Sequence, residues 1–276
     1  MSFWKPKPKR PLMVAIFGSG PAGLFAAQAA YDTGNVVQIY ARGERSPLHG
    51  AQYLHEPIPG LTIPPMARET VSYILKGTVD GYRRKVYGSG SSVTVSPDAL
   101  APHHDAWDIR ATYENAWERF QGLIQPTEIT PAWLDSQGRI IGADLVVWGI
   151  PLASACVGGH QFLVQSVWAQ GDAPELGLEC SVTVEPWTVI VNGEDSPRWY
   201  RASNVFGHRT AEWPDGPRPP IKGIARVNKP IRTLCSCWLR LGDSPVLRVG
   251  RYGTWTKGEY SHQAYTKTRT VLESMR

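Results

Sequence analysis

The residues best suited to chemistry are six near the start of the chain, Gly18-Ser19-Gly20-Pro21-Ala22-Gly23. They form a G-x-G-x-x-G run, which makes physical sense where a strand feeds a helix through a tight turn. Gly18 then allows the turn, Gly20 lets the backbone approach a pyrophosphate, and Gly23 lets helix and strand pack closely. Free N–H groups at the helix start hold the phosphates. The flanks supply that context. Met13–Phe17 has the composition of a buried parallel strand, Leu24–Tyr31 reads as helix, Asp32-Thr33-Gly34-Asn35 ends it, and Val36–Tyr40 is a second apolar strand. One part of the pattern is missing. The acidic residue that should take ribose hydroxyls about 20 residues on is replaced by Ala41, followed by Arg42-Gly43-Glu44-Arg45. Arg42 has three uses open to it: meeting a ribose 2′-phosphate (which would mean NADP), stacking on adenine, or lying along the pyrophosphate.

Three other groups carry reactive side chains. The loop Ser46–Gly60 holds His49, Gln52 and His55 among glycines and prolines, either as a ligand-facing segment or as a surface loop with solvated histidines. Arg198-Trp199-Tyr200-Arg201 sets two arginines beside aromatic rings, suited to an anionic or planar ligand or to a solvated strand face. Cys235-Ser236-Cys237 has two thiols but no ligands near it in sequence, so no metal site is expected there.

The elements that must position these residues can be traced along the chain. Trp107, Ile109, Tyr113, Trp117 and Phe120 share one face of a helix over Trp107–Leu123, more suited to core than to a cofactor box, and Pro126 is expected to stop it. Tyr82–Gly88 is read as strand, and Gly88–Ser92 as a turn rather than a phosphate loop. Asp144–Leu152, Gln161–Ala169, Leu178–Val191 and Val246–Gly250 are further strands, and Ser261 is the expected N-cap of a last helix. A chain of 276 residues can bury a real core in one or two domains. Charged content of 19% against 42% hydrophobic argues for a globular protein. The net charge of +5, partly in the tail Lys5–Arg10, and eleven Trp permit nucleic-acid contact without requiring it. No apolar run reaches the roughly 20 residues of a membrane span, and four cysteines (Cys156, Cys180, Cys235, Cys237) suit a reduced compartment, so the expected location is cytoplasmic.

Three separated stretches together resemble two-dinucleotide-binding-domain flavoproteins, nearest the amine-oxidase-like and UDP-galactopyranose mutase-like proteins. These are Gly18–Gly23, the strand Ala143–Leu152 (with Gly149 where that family usually has Thr), and Val249-Gly250-Arg251-Tyr252-Gly253-Thr254-Trp255. The chain also resembles small bacteriophage-encoded flavoproteins, through Gly50-Ala51-Gln52-Tyr53-Leu54-His55 and Trp199–Ser203. The resemblance implies an α/β fold: a Rossmann-like FAD-binding domain from residues 1–63, 130–159 and 230–276, with a β-rich inserted substrate domain from 64–129 and 160–229. It implies FAD as cofactor, held by Gly18, Ser19, Gly20, Pro21, Ala22, Gly23, Arg42, Ser46, Gly50, Ala51, Gln52, Gly250, Arg251, Tyr252, Trp255, Ser261 and His262. The helix beginning near Ser261-His262 would point its N-terminus at the flavin. His55, Gln52 and His262 are the implied catalytic groups, and Tyr200 and Arg201 the substrate contacts.

The activity implied is an FAD-dependent oxidoreductase taking hydride from a carbon next to nitrogen or oxygen. The substrate would be a small molecule or a modified nucleotide, including an amino-bearing base in DNA that must be flipped or single-stranded to react. No membrane partner is expected, and oligomeric state is left open. Two other classes stand beside it. One is a redox-neutral mutase-like flavoenzyme, for which Arg201 and Arg251 are the only tempting clamp; the other is a non-catalytic nucleotide-binding module.

Overall fold

A computed structural model describes residues 10–49, 52–62, 68–90, 94–95, 100, 103–136, 142–171, 183–237 and 244–276. Gly50, Ala51, Ser91, Ser92, Cys180 and the tail before Arg10 lie outside the described residues. The chain divides into two compact units, one from Met1–Ser46, Ala116–Phe162 and Thr233–Arg276, the other from Pro47–Asn115 and Leu163–Arg232. The first crossing therefore falls at 46/47, where sequence placed it at 63/64, and the second at 115/116 instead of 129/130.

In chain order the principal elements are β1 (Met13–Phe17), α1 (Pro21–Asp32), β2 (Val36–Ala41), β3 (Glu69–Gly77), α2 (Val79–Tyr87), β4 (His103–Ala106), α3 (Ile109–Phe120), β5 (Ile124–Pro126), α4 (Pro131–Ser136) and β6 (Leu145–Trp148). They continue with β7 (Phe162–Gln170), β8 (Thr188–Gly193), β9 (Arg201–Val205), β10 (His208–Pro214), β11 (Ile224–Thr233), β12 (Val246–Arg248), α5 (Gly250–Thr254) and α6 (Gln263–Ser274).

The first unit is built on a five-stranded sheet ordered β12-β6-β1-β2-β5. Its strand pairs all run parallel, Ile16 lying between Ile39 and Val147. Parallel strands are buried on both faces and need continuous apolar sequence. β1 and β6 provide it, and Phe17, Tyr40, Trp148 and Trp255 form one core there. The sheet is fastened at its lower edge by Asp144, which accepts the Met13 N–H at 2.8 Å and the Arg10 guanidinium at 2.6 Å. The bond from Met13, then Arg10, holds that carboxyl below its usual range despite some burial.

The second unit carries a seven-stranded sheet ordered β11-β7-β10-β9-β8-β3-β4. Its β3–β8 pair is parallel; β3–β4, β8–β9, β9–β10 and β7–β10 are antiparallel. Trp199 and Trp213 are wholly buried in its core.

Three local expectations are corrected. Tyr82–Gly88 is helical, not strand. Thr78 caps the helix by accepting the Gly81 N–H at 2.9 Å, Asp80 pairs with Arg83 at 2.8 Å and with Arg84, and Gly88 ends it at φ +85°. Caps and i,i+3/i+4 pairs thus outweigh the β-like Tyr and Val content. Pro126 does not stop α3, which ends at Phe120; it is the last residue of edge strand β5, where a missing N–H costs no internal ladder bond. Ser261 does not cap α6, whose N-cap is His262 without a side-chain cap bond.

Candidate functional site

The glycine run stands at the carboxyl end of β1, where parallel α/β sheets bind ligands. Its backbone geometry separates the glycines by role. A Cβ at Gly23 would lie 2.0 Å from the Gly18 carbonyl oxygen, so helix α1 can reach its place only with glycine there. A Cβ at Gly20 would meet no protein atom within 4 Å, and Gly20 itself sits in ordinary extended backbone at φ −73°. Neither packing nor conformation within this chain demands glycine at position 20. Gly20 is also the N-cap of α1, with Pro21 following, no side-chain cap and no acidic residue in the first turn. The positive end of the helix is left to an anion.

Two more segments close on this turn. Gly149, just after β6, would bring a Cβ to 3.2 Å from the Phe17 carbonyl and 3.4 Å from Gly23, a close but not forbidding approach. Gly250, at φ +67°, opens α5 directly after β12, and a Cβ there would meet the Ala22 Cβ at 2.5 Å. A Cβ at Gly253 would lie 2.2 Å from the Trp148 carbonyl. The ends of β1, β6 and β12 therefore meet backbone to backbone. This adjusts the expected geometry: the helix entered from the last strand is α5, carrying Arg251 and Tyr252, rather than the one near Ser261. Tyr265, in the first turn of α6, donates to Asp32 at the far end of α1.

The remaining first-unit residues are placed as follows. Arg42 follows β2 at the same sheet edge and pairs with Glu128 at 3.0 Å, both side chains about 70% exposed (71% and 68%). The Ser19 hydroxyl donates to the Glu44 carbonyl at 3.4 Å. The Glu44 backbone, three residues past Ala41, thereby lies beside the turn. Arg45 lies 5.5 Å over the Trp117 ring. Trp255 is a core residue, edge-on to Phe162 at 4.9 Å, and not an open stacking face. His262 is buried and stacked on Tyr260 at 5.6 Å. The expectation that Cys235 and Cys237 lack ligand partners is overturned by Cys156 and His160, which lie beside them.

In the second unit, Gln52 and His55 flank Leu54, which exchanges two backbone bonds with Trp107, at 2.8 and 3.0 Å. That bridge sets Tyr53 into the core, its hydroxyl 3.1 Å from Tyr73, and brings His55 within 6.0 Å of His104. Among the described residues the buried Nε2 atoms of Gln52 and His104 have no hydrogen-bond partner. Sequence reasoning missed Tyr73 and His104, since only the β3–β4 pairing and the Leu54 bridge bring them to His55.

Tyr200 and Arg201 are not ligand-facing. Tyr200 donates to Glu212 at 2.6 Å, Arg201 pairs with the same oxygen at 2.7 Å, and Lys229 takes the other oxygen at 2.5 Å. Glu212 is 2% exposed, so it needs all three partners. Burial pushes its carboxyl upward, but Arg201, then Lys229, then their bonds and that of Tyr200 hold it down at about 2. Burial, with Glu212 adding to it, raises the Tyr200 phenol well above its ordinary value.

No protein-family model and no curated protein sequence matches this chain. Solved structures do. A 2-methyl-3-hydroxypyridine-5-carboxylic acid oxygenase aligns over 96% of this chain and 88% of its own, at 14% identity and TM-score 0.50. The 2,6-dihydroxypyridine-3-hydroxylase of Arthrobacter nicotinovorans aligns over 96% and 84%, at 13% identity and TM-score 0.50. A variant of HpxO from Klebsiella pneumoniae, complexed with FAD, aligns over 96% and 81%, at 12% identity and TM-score 0.51. The fold is that of the flavoprotein monooxygenases. A parallel nucleotide-type sheet and a second, mostly antiparallel sheet are its two parts here.

Proposed function

We propose that the first unit binds FAD and that the protein is an FAD-dependent oxidoreductase. The observation that carries this is Gly20, where a Cβ would meet no atom of the described residues, at the uncapped start of α1. Gly18, Ser19, Gly20 and the N–H groups of Ala22 and Gly23 would hold the pyrophosphate. Arg42 and Glu44 would serve the adenosine side, and Gly250-Arg251 would add the backbone of α5. Arg42 is free to swing because its pair with Glu128 is exposed.

When bound, the flavin supplies hydride and oxygen chemistry that no side chain of the chain can perform. The chain's own contribution is to orient and to exclude water. Gln52, His55, Tyr73 and His104 of the second unit form the substrate-recognising group, with the buried Nε2 atoms of Gln52 and His104 as the hydrogen-bonding points. Two such side chains suit a planar, nitrogen- or oxygen-bearing substrate, and His55, its ring 6.0 Å from that of His104, is the proton acceptor of this reading.

Two oxidations fit such a site. One takes hydride from a carbon beside an amine; the other inserts oxygen into a heteroaromatic ring, favoured by the fold shared with the pyridine hydroxylases. Visible absorption of the purified protein, with and without added FAD, tests the cofactor. A protein that stays colourless and takes up no FAD overturns the proposal. Loss of colour on anaerobic addition of an amine selects the first oxidation, whereas NAD(P)H consumption that requires a hydroxylated pyridine and oxygen selects the second. A narrower form has a modified DNA base as substrate and rests on the net charge of +5. It has less support from tryptophan, since Trp117, Trp148, Trp199, Trp213 and Trp255 are all buried. Binding to single-stranded DNA that falls steeply with salt would support it, and undetectable binding at low salt would remove it.

A further inference from the structure

Four potential ligand atoms lie together in the first unit, away from the glycine turn in sequence: the sulfurs of Cys156, Cys235 and Cys237 and a ring nitrogen of His160. All lie within 4.8 Å of one another. The His160 Nδ1 is 3.4 Å from the Cys156 sulfur and 3.5 Å from that of Cys237, and those two sulfurs are 4.0 Å apart. A tetrahedral zinc with Zn–S near 2.3 Å and Zn–N near 2.05 Å has S···N edges of about 3.5 Å and S···S edges of about 3.8 Å. The cluster already has those dimensions. A sulfur–sulfur separation of 4.0 Å is about twice a disulfide bond, and the three cysteines are free thiols.

We propose that Cys156, His160, Cys235 and Cys237 form a Cys3His zinc site. The local backbone is shaped for it. His160 turns back onto Cys156 through Gly158-Gly159, with Gly159 at φ +63°, and a Cβ at Gly158 would lie 2.7 Å from the His160 ring. Backbone N–H groups point at the sulfurs, as they do in thiolate metal knuckles. Those of Val157 and Gly158 reach the Cys237 sulfur, and those of Gly158 and His160 reach that of Cys156. On binding, three thiol protons leave to solvent and no electrons move. Four protein ligands close the coordination shell, so the site is structural and not hydrolytic.

Its place in the chain gives it a task. The chain leaves the first unit after Phe162 and re-enters at Thr233. Cys156 and His160 precede the exit, Cys235 and Cys237 follow the return, and the Thr233 hydroxyl already bonds the Gln161 carbonyl at 2.8 Å. Zinc would clamp the two strands of chain where the inserted segment is joined, independently of whether FAD is bound.

Metal analysis of the full-length protein, purified without added metal, tests this. The expected result is about one zinc per chain, with cobalt(II) taking its place to give the visible bands of a tetrahedral thiolate site. Cys237→Ser should lose the metal, Cys180→Ser should keep it, and Gly158→Ala should weaken zinc affinity roughly tenfold or more by displacing a ligand ring. Should Cys237→Ser fail to fold, the wild-type protein still decides: stripped by a chelator, it should recover the cobalt spectrum on adding cobalt(II) alone. Absence of metal together with failure to take up zinc or cobalt would overturn the proposal, as would a Cys156–Cys237 disulfide found by mass or retention of zinc by Cys237→Ser.

Discussion

In the first unit glycines bring the ends of three strands together, with Gly23 against the Gly18 carbonyl, Gly253 against the Trp148 carbonyl and Gly250 against the Ala22 Cβ. In the second, the deepest contact is charge against charge, with Arg201, Lys229 and Tyr200 converging on Glu212. The first arrangement leaves the start of α1 without a side-chain cap. In the second, Tyr200, Arg201 and Lys229 are all engaged by the one buried carboxylate of Glu212. That contrast agrees with the phosphate site proposed for the first unit and sets Tyr200 and Arg201 in the packing of the second.

The contrast can be broken from either side, and the largest effect is expected at Glu212. Glu212→Gln leaves Arg201 and Lys229 without their counter-charge, 23% and 13% exposed respectively. It should lower stability by about 3–5 kcal/mol in denaturant unfolding. The same group makes the protein acid-sensitive. Its folded pKa, about 2, lies below the ordinary 4.5, so its contribution is complete above about 4.5 and is lost as pH falls from there toward 2. Glu212→Gln should flatten that part of the stability–pH curve. Next comes Gly23→Ala, whose methyl would press on a carbonyl oxygen that cannot move without shifting β1. A loss of about 1–3 kcal/mol, with loss of FAD binding, is expected by thermal melting.

Gly20→Ala sharpens the comparison, because its methyl meets nothing. Stability should change by less than about 1 kcal/mol while FAD affinity falls at least tenfold, read by flavin fluorescence. If Gly20→Ala binds FAD normally, the turn is not a phosphate site. The smallest effect on stability is expected at Arg42. Arg42→Ala breaks only an exposed pair worth about 0–1 kcal/mol, so any loss of FAD affinity would report direct contact with the nucleotide.

What could be read from sequence divides along the same line. Unit-one strands declare themselves because a parallel strand buried on both faces must be continuously apolar, as Met13–Phe17 and Leu145–Trp148 are. The face of α3 was legible for a similar reason, its helical spacing burying Ile109, Tyr113, Trp117 and Phe120. The Glu212 network was not legible, because Arg201 becomes its partner only through the β9–β10 register, which sets the two residues opposite each other. The thiol cluster was hidden by distance, Cys237 lying 81 residues from Cys156. Helix α2 was misread although its signal was present, since Thr78, Asp80 and Gly88 are cap and turn residues that outweighed a weakly apolar pattern.

The parallel order β12-β6-β1-β2-β5 also bears on how the chain is made. Met13 begins β1, yet its partner Asp144 follows 131 residues later, and the outer strand β12 begins only at Val246. At roughly 5–20 residues per second on the ribosome, the first strand waits many seconds for β6 and longer for β12. During that wait an apolar strand with an unpaired edge is exposed to any other chain emerging nearby. Heterologous production should accordingly be limited more by aggregation of nascent chains than by the stability of the finished protein, and slower synthesis at low temperature or added chaperone should raise the soluble yield.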